Sequence, residues 1–180
     1  IGGRLQVQYA GISMDIKGAD EDPEPTRHFF LRRLYLTTKA RFGSQWSAKV
    51  TYDVASNGFD SAYVRYDAND NTRFDIGLRK VNFAYEENLS SGSLKALERS
   101  GATRYFVEPF NGRRLGAGSY RVGAFYDGSA GDLFFGGAIT NPERPRSAID
   151  AASHGDVWND GLAFWANGGY RANYDSGSAV

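Results

Sequence analysis

Hydrophobic and polar residues alternate along most of this chain, in stretches of about ten residues, the pattern of a strand with one apolar and one polar face. Trp46, Ala48, Val50, Tyr52 and Val54 mark one face, and Ser47, Lys49, Thr51 and Asp53 the other. The next stretch sets Ala62, Val64 and Tyr66 against Ser61, Tyr63, Arg65 and Asp67, and then Phe74, Ile76 and Leu78 against Arg73, Asp75 and Arg79. Upstream, Leu34, Leu36, Ala40 and Phe42 oppose Arg33, Tyr35, Thr37, Lys39 and Arg41, while Leu5, Val7 and Tyr9 oppose Arg4, Gln6 and Gln8. Downstream, Leu133, Phe135 and Ile139 alternate with Asp132, Gly136 and Thr140. A last strand runs from Leu162 through Phe164, Ala166 and Tyr170 to Tyr174. Between Arg113 and Tyr126 the phase shifts near Gly118-Ser119, which reads as a β-bulge in one long strand, with a tight turn as the alternative. The pattern predicts about eight strands.

The connections alternate as well. Short turns are expected at 43–45, 68–71 and 128–131, and longer polar connections at 13–27, 80–112 and 141–159, with a shorter one at 55–59. Aromatics flank the short turns: Phe42 and Trp46, Tyr66 and Phe74, then Tyr126. Short turns at one end, long loops at the other and an aromatic girdle are the organisation of an outer-membrane barrel. A soluble antiparallel sandwich also alternates. It gives no reason for short turns and aromatics to share one end, and the barrel is favoured.

Composition narrows this further. Lys+Arg number 21 and Asp+Glu 21, so no global basic field points to nucleic acid. The chain has no cysteine, which removes disulfides and thiolate metal sites. No apolar run approaches the roughly 20 residues of a membrane helix. A barrel strand meets lipid only at every second residue, so a hydrophilic average is compatible with a membrane. His28 and His154 lack partners at metal-ligand spacing, and no Ser-His-Asp set or Walker loop appears. No cofactor and no enzymatic activity are expected. The acidic run Asp20-Glu21-Asp22-Glu24 reads as a solvated outer loop.

The inner face carries Arg33, Lys39, Arg41, Lys49, Arg65 and Arg79. A closed barrel of about eight strands has an interior that side chains fill, where so many cations would be costly. The chain also ends Ser176-Gly177-Ser178-Ala179-Val180, without the aromatic that usually closes a barrel. The expectation is the N-terminal half of a wider, water-filled barrel.

An ordered set of segments carries a family resemblance. It comprises Phe30-Leu31-Arg32-Arg33-Leu34-Tyr35-Leu36, Lys39-Ala40-Arg41-Phe42, Trp46-Ser47-Ala48-Lys49-Val50-Thr51-Tyr52-Asp53 and Asp60-Ser61-Ala62-Tyr63-Val64. It continues with Ile76-Gly77-Leu78-Arg79-Lys80, Leu97-Glu98-Arg99-Ser100 and Asn111-Gly112-Arg113-Arg114-Leu115-Gly116. In order and spacing it resembles the phosphate-selective porins O and P of Gram-negative outer membranes, over most of the chain to about Ile139. The resemblance implies an all-β transmembrane antiparallel barrel of about sixteen strands, usually trimeric. It also implies a third long loop, here 80–112, folded into the pore. Its partners would be small inorganic anions such as phosphate, outer-membrane lipid and lipopolysaccharide. Arg32, Arg33 and Tyr35, Asp60, and Arg99 in the loop fall on the family's ladder and constriction; Lys80, Arg113 and Arg114 bracket that loop. Where the family commonly has a Glu-Pro-Phe-like stretch, this chain reads Val81-Asn82-Phe83-Ala84-Tyr85-Glu86-Glu87. Two acids there weaken strict phosphate selectivity and leave a weakly selective or structural envelope protein as the alternative.

Arginine suits oxyanions because its planar fork donates two parallel hydrogen bonds, and several modest cationic sites in series allow both capture and release. Arg33, Lys39 and Arg41 share one wall, with Lys49, Arg65 and Arg79 on neighbouring strands. Pairing with Asp53, Asp67 and Asp75 would instead make that wall structural. Adjacent strand residues face opposite sides, so Arg32 is expected above the bilayer at the loop end. In the loop, Ser93-Leu94-Lys95-Ala96-Leu97-Glu98-Arg99 reads as a short helix with a leading Ser cap, from which Lys95 or Arg99 would reach the lumen.

Overall fold

Each alternating segment forms a strand, and consecutive strands pair antiparallel in a single sheet. The computed structural model describes residues 1–13, 17, 25–90, 92–96, 99–107, 120–142, 161–174 and 177–179. The strands are β1 (Gly2–Ile12), β2 (Thr26–Phe42), β3 (Trp46–Asp53), β4 (Gly58–Asn69), β5 (Thr72–Lys80), β6 (Tyr120–Ala130), β7 (Leu133–Thr140) and β8 (Ala163–Tyr170). They lie side by side in chain order as one eight-stranded meander. Two short helices, α1 (Tyr85–Asn88) and α2 (Gly101–Phe106), sit in the β5–β6 connection. No described helix is long and apolar enough to cross a membrane. The expected junction near Gly118-Ser119 and the acidic run at 20–24 lie outside the described residues.

Hairpin geometry explains the arrangement of turns. Three residues join β2 to β3, two join β4 to β5, and two join β6 to β7, the last beginning at Gly131 with φ +59°. The strands therefore run two to three residues further than the sequence pattern suggested at 68–71 and 128–131. The final strand is shorter than expected. Tyr170 pairs with Leu133, the first residue of β7, so β8 runs out of partner there. Ala172–Tyr174 instead forms β9, paired with β10 (Gly177–Ala179) in a separate two-stranded sheet.

Burial is inverted relative to a water-soluble domain. Only four described apolar residues are buried (Leu78, Val81, Val107 and Phe125), against seven polar or charged ones including Asp75, Glu87 and Arg121. Leu5, Leu36, Val50, Val64, Ile76 and Ile139 are all exposed on one face. No second sheet packs on these rows among the described residues, which removes the sandwich. Such a continuous apolar face is stable only against hydrocarbon. At its short-turn end, cross-strand register joins Phe42 to Trp46, Trp46 to Tyr66, Tyr66 to Phe74 and Phe74 to Tyr126. Trp46 and Tyr66 stack at 4.8 Å and Phe74 and Tyr126 at 5.2 Å between centroids. Rings that tolerate both water and hydrocarbon belong at that boundary.

Gly77 shows how tightly the wall is built. Its φ is +129°, and a Cβ there would lie 2.3 Å from the carbonyl oxygen of Ala62 on β4. Only glycine fits.

The inverted face yields a direct expectation. Ile76, 69% exposed at the middle of β5, should lose about 2–4 kcal/mol on substitution by Arg if it meets the bilayer midplane. Urea unfolding in lipid vesicles measures this, and a neutral result would place the face in water.

Candidate functional site: the inner wall

The inner wall is the polar face of the same strands, and two β-bulges decide which residues reach it. Between β1 and β2 the register steps from Gln6↔Arg33 to Val7↔Leu31, leaving Arg32 as the extra residue. Between β3 and β4 it steps from Thr51↔Ser61 to Tyr52↔Phe59, leaving Asp60 as the extra residue. Strict alternation would send both toward lipid. A bulge inserts one residue without advancing the alternation, so Arg32 with Arg33, and Asp60 with Ser61, each fill one step between outward residues. Asp60 accepts a hydrogen bond from the Tyr120 hydroxyl and lines an inner cavity. Arg32 lies within β2, six residues from its start. Ten residues separate it from Phe42; at about 3.3 Å each and a tilt of about 40° they rise roughly 25 Å, the height of the apolar band.

The wall's cations fall into two groups. On β4 and β5 Arg65, Arg73 and Arg79 are paired with acids, while Arg121 on β6 donates to the carbonyls of Tyr120 and Pro142. Arg65 donates from Nε and Nη2 to Asp75 at 2.7 and 2.9 Å. Arg79 bridges Asp75 and Asp127, the latter at 2.7 Å, and lies over the Phe125 ring at 4.9 Å. Arg73 reaches Asp127 at 3.2 Å, and Asn82 donates to the same carboxylate at 2.8 Å. Asp75 is 1% exposed. A carboxylate so buried is tolerated only because two guanidiniums saturate it.

On β2 and β3, Arg33, Lys39, Arg41 and Lys49 form no ion pair among the described residues, although Asp60 attracts Lys49 across the inner cavity. Arg33 donates to Gln6 at 2.8 Å. Lys39 and Lys49 face each other directly across the strand pair, and with Arg41 they make no hydrogen bond or ion pair among the described residues. Like charges opposite one another destabilise a sheet, so this wall is not built for internal neutrality. A cavity of about 420 Å³ lies before it, bordered by Arg4, Tyr35, Lys39, Lys49, Asp60 and Ser90.

The loop after β5 is anchored by its own charges. Lys80 donates to the Glu87 carbonyl at 2.5 Å and pairs with its carboxylate at 3.3 Å. Arg99 pairs with the same carboxylate at 3.0 Å and donates to the carbonyls of Glu86, Glu87 and Leu89. Lys80 and Arg99, two of the cations expected on the anion path, thus serve as staples of the loop. The helix expected at 93–99 is displaced. Residues 92–96 are turn and bend, Leu97 and Glu98 lie outside the described residues, and the helical turn is α2, capped by Ser100 rather than Ser93. The reason is a partner in α1. Glu86 accepts from the Ser100 amide at 2.9 Å and its hydroxyl at 2.6 Å, and from the Thr103 hydroxyl, while Ser100 Oγ accepts from the Thr103 amide at 3.2 Å. Arg113 and Arg114 lie outside the described residues.

Cross-strand register decides which cations are paired, and alternation along a single strand carries no sign of it. Asp127 and Asn82 were missed for the same reason, and Arg4 was noted only as an inward residue.

Two expectations follow from these contacts. Asp75→Ala strands two guanidiniums and should cost about 3 kcal/mol of unfolding free energy, read by urea titration in vesicles. The hydroxyls of Ser100 and Thr103 and the Ser100 amide hold the Glu86 carboxyl below its ordinary range. A depressed carboxylate stabilises the α1–α2 contact above its unfolded pKa of about 4.3 and loses that contribution as pH falls through the lower folded value. Amide exchange across α2 should accordingly be protected at pH 6 and accelerate below about pH 4, an acceleration that Glu86→Gln should abolish.

Comparison with known proteins places these features in context. The family model for phosphate-selective porin O and P matches residues 1–155. Among curated proteins none matches the chain.

Proposed function

The chain belongs to the phosphate-selective porin O and P family, and on that premise we propose that it conducts small anions such as phosphate passively across the outer membrane of a Gram-negative bacterium. The described sheet is then the N-terminal half of a barrel of about sixteen strands, embedded in lipid and lipopolysaccharide as a homotrimer. The connection 80–112 is the loop that narrows its pore. An eight-stranded open sheet would leave unpaired edges in hydrocarbon, and its β1 and β8 edges do not pair with each other among the described residues.

One observation carries the selectivity: Lys39, Lys49 and Arg41 on the inner wall of β2 and β3 lack carboxylate partners among the described residues. An anion shedding part of its hydration shell meets cations that no carboxylate holds in an ion pair, with Asp60 offsetting part of the charge of Lys49. Arg33 extends the row toward the loop end, where the bulge holds Arg32. Arg65 and Arg79 contribute architecture, and Lys80 and Arg99 hold the loop that constricts the path. Asp60, fixed by Tyr120, tunes the field beside Lys49. Passive conduction requires no catalytic group, and the protein is read as a channel rather than an enzyme.

The neutralised wall on β4–β6 favours a second reading, a weakly selective general-diffusion or structural outer-membrane protein in a larger assembly. Zero-current potentials of the full-length protein in planar bilayers under a salt gradient separate the two. Anion preference is expected. A unit charge about 4 Å away contributes about 1 kcal/mol in water, so Lys39→Gln or Lys49→Gln should each lower the anion-to-cation permeability ratio roughly fivefold. An unchanged ratio in the double variant would assign the row no part in selectivity, and cation preference in the parent would remove the anion channel.

A further inference from the structure

We propose that Arg4 on β1 is a positioning residue, a latch that holds the tip of the β5–β6 loop across the inner wall and thereby sets the pore's aperture. This rests on the proposal above that the loop narrows the pore. The loop leaves the sheet at Lys80 on β5, yet its tip meets a strand four places away. Arg4 Nη1 donates to Ser90 Oγ at 3.3 Å, a contact between residues 86 apart in the chain. With strands spaced about 4.8 Å, the loop crosses roughly 19 Å of wall to reach it.

Both sides of the contact are held in place. Ser90 Oγ also accepts from the Gly92 amide at 3.3 Å, and the Ser93 amide donates to the Ser90 carbonyl at 2.8 Å, closing a tight turn. The turn presents the hydroxyl to the wall. Arg4 lies over the Tyr35 ring at 4.7 Å from its centroid, and Tyr35 is its register partner on β2. The guanidinium comes close to this turn: a Cβ at Gly92 would lie 3.1 Å from Arg4 Nη1. The other anchors, Lys80, Arg99 and Glu86, all act within the loop or at its origin on β5. The Arg4 contact ties the Ser90 turn to β1, and Arg4 and Ser90 both border the cavity in front of Lys39 and Lys49. Releasing the tip would open that cavity toward the axis.

Single-channel recording on the full-length protein tests this, with heat-modifiable gel mobility confirming that each variant folds. Conductance scales with the cross-section of the narrowest segment, so Arg4→Ala and Ser90→Ala should each raise it, Arg4→Ala by roughly twofold. The double variant should add little to either. Arg4→Lys restores the charge without the planar fork over Tyr35 and should remain more conductive than the parent. A residue acting only through its charge would behave otherwise: Arg4→Ala would lower anion preference at unchanged conductance, and Arg4→Lys would restore the parent in full. Either result overturns the latch. The absence of native cysteine permits an independent measurement, cross-linking Arg4→Cys to Gly92→Cys with a short bismaleimide in outer-membrane preparations. Cross-linking together with a conductance rise in Arg4→Ala supports the latch. Cross-linking with unchanged conductance overturns it and leaves the loop's inward fold standing. Failure to cross-link overturns both.

Discussion

A strand in hydrocarbon has no water to satisfy its backbone, so every N–H and C=O must find a partner on a neighbouring strand. Between neighbours in this chain that requirement is met by simple adjacency: each strand from β2 to β8 pairs with the one before it. Once the ladder is fixed, side chains have only two destinations, and the alternation of the sequence assigns them. The outer rows become apolar and exposed, and the inner rows become polar and partly enclosed. Burial of Asp75, Arg121 and Thr140 while Ile76 and Phe164 stand exposed follows from this ladder and from no local preference of those residues.

The same ladder sorts the charges. Residues opposite one another in register meet whether or not their charges agree, so Arg65 finds Asp75 on β5, while Lys39 finds Lys49 on β3. The first encounter produces a saturated network that Arg79, Asp127, Arg73 and Asn82 extend. The second leaves two ammonium groups in front of a water-accessible cavity. One wall is therefore cemented by its charges and the neighbouring wall keeps its charges available. A count of inner cations treats these as one population.

The loop follows a related logic at smaller scale. Its carboxylates do not face the lumen as a repelling pair. Glu87 is consumed by Lys80 and Arg99, and Glu86 by the cap of α2. The same two acids serve to fold the loop. Three carbonyls and a carboxylate surround the Arg99 guanidinium.

The sequence alone determined what depends on neighbouring residues: strand placement, the apolar face, the short-turn end with its aromatics, and the family to which these segments belong. Period-two alternation and turn composition are local, and each strand carries its own copy of the signal. The tertiary structure decided everything that depends on register between strands. It put Arg32 and Asp60 in bulges, ended β8 at Tyr170, moved the helical turn from Ser93 to Ser100, and separated the paired arginines from the unpaired lysines. One residue of slip in any strand pair would exchange those partners without altering the pattern by which the strands were found.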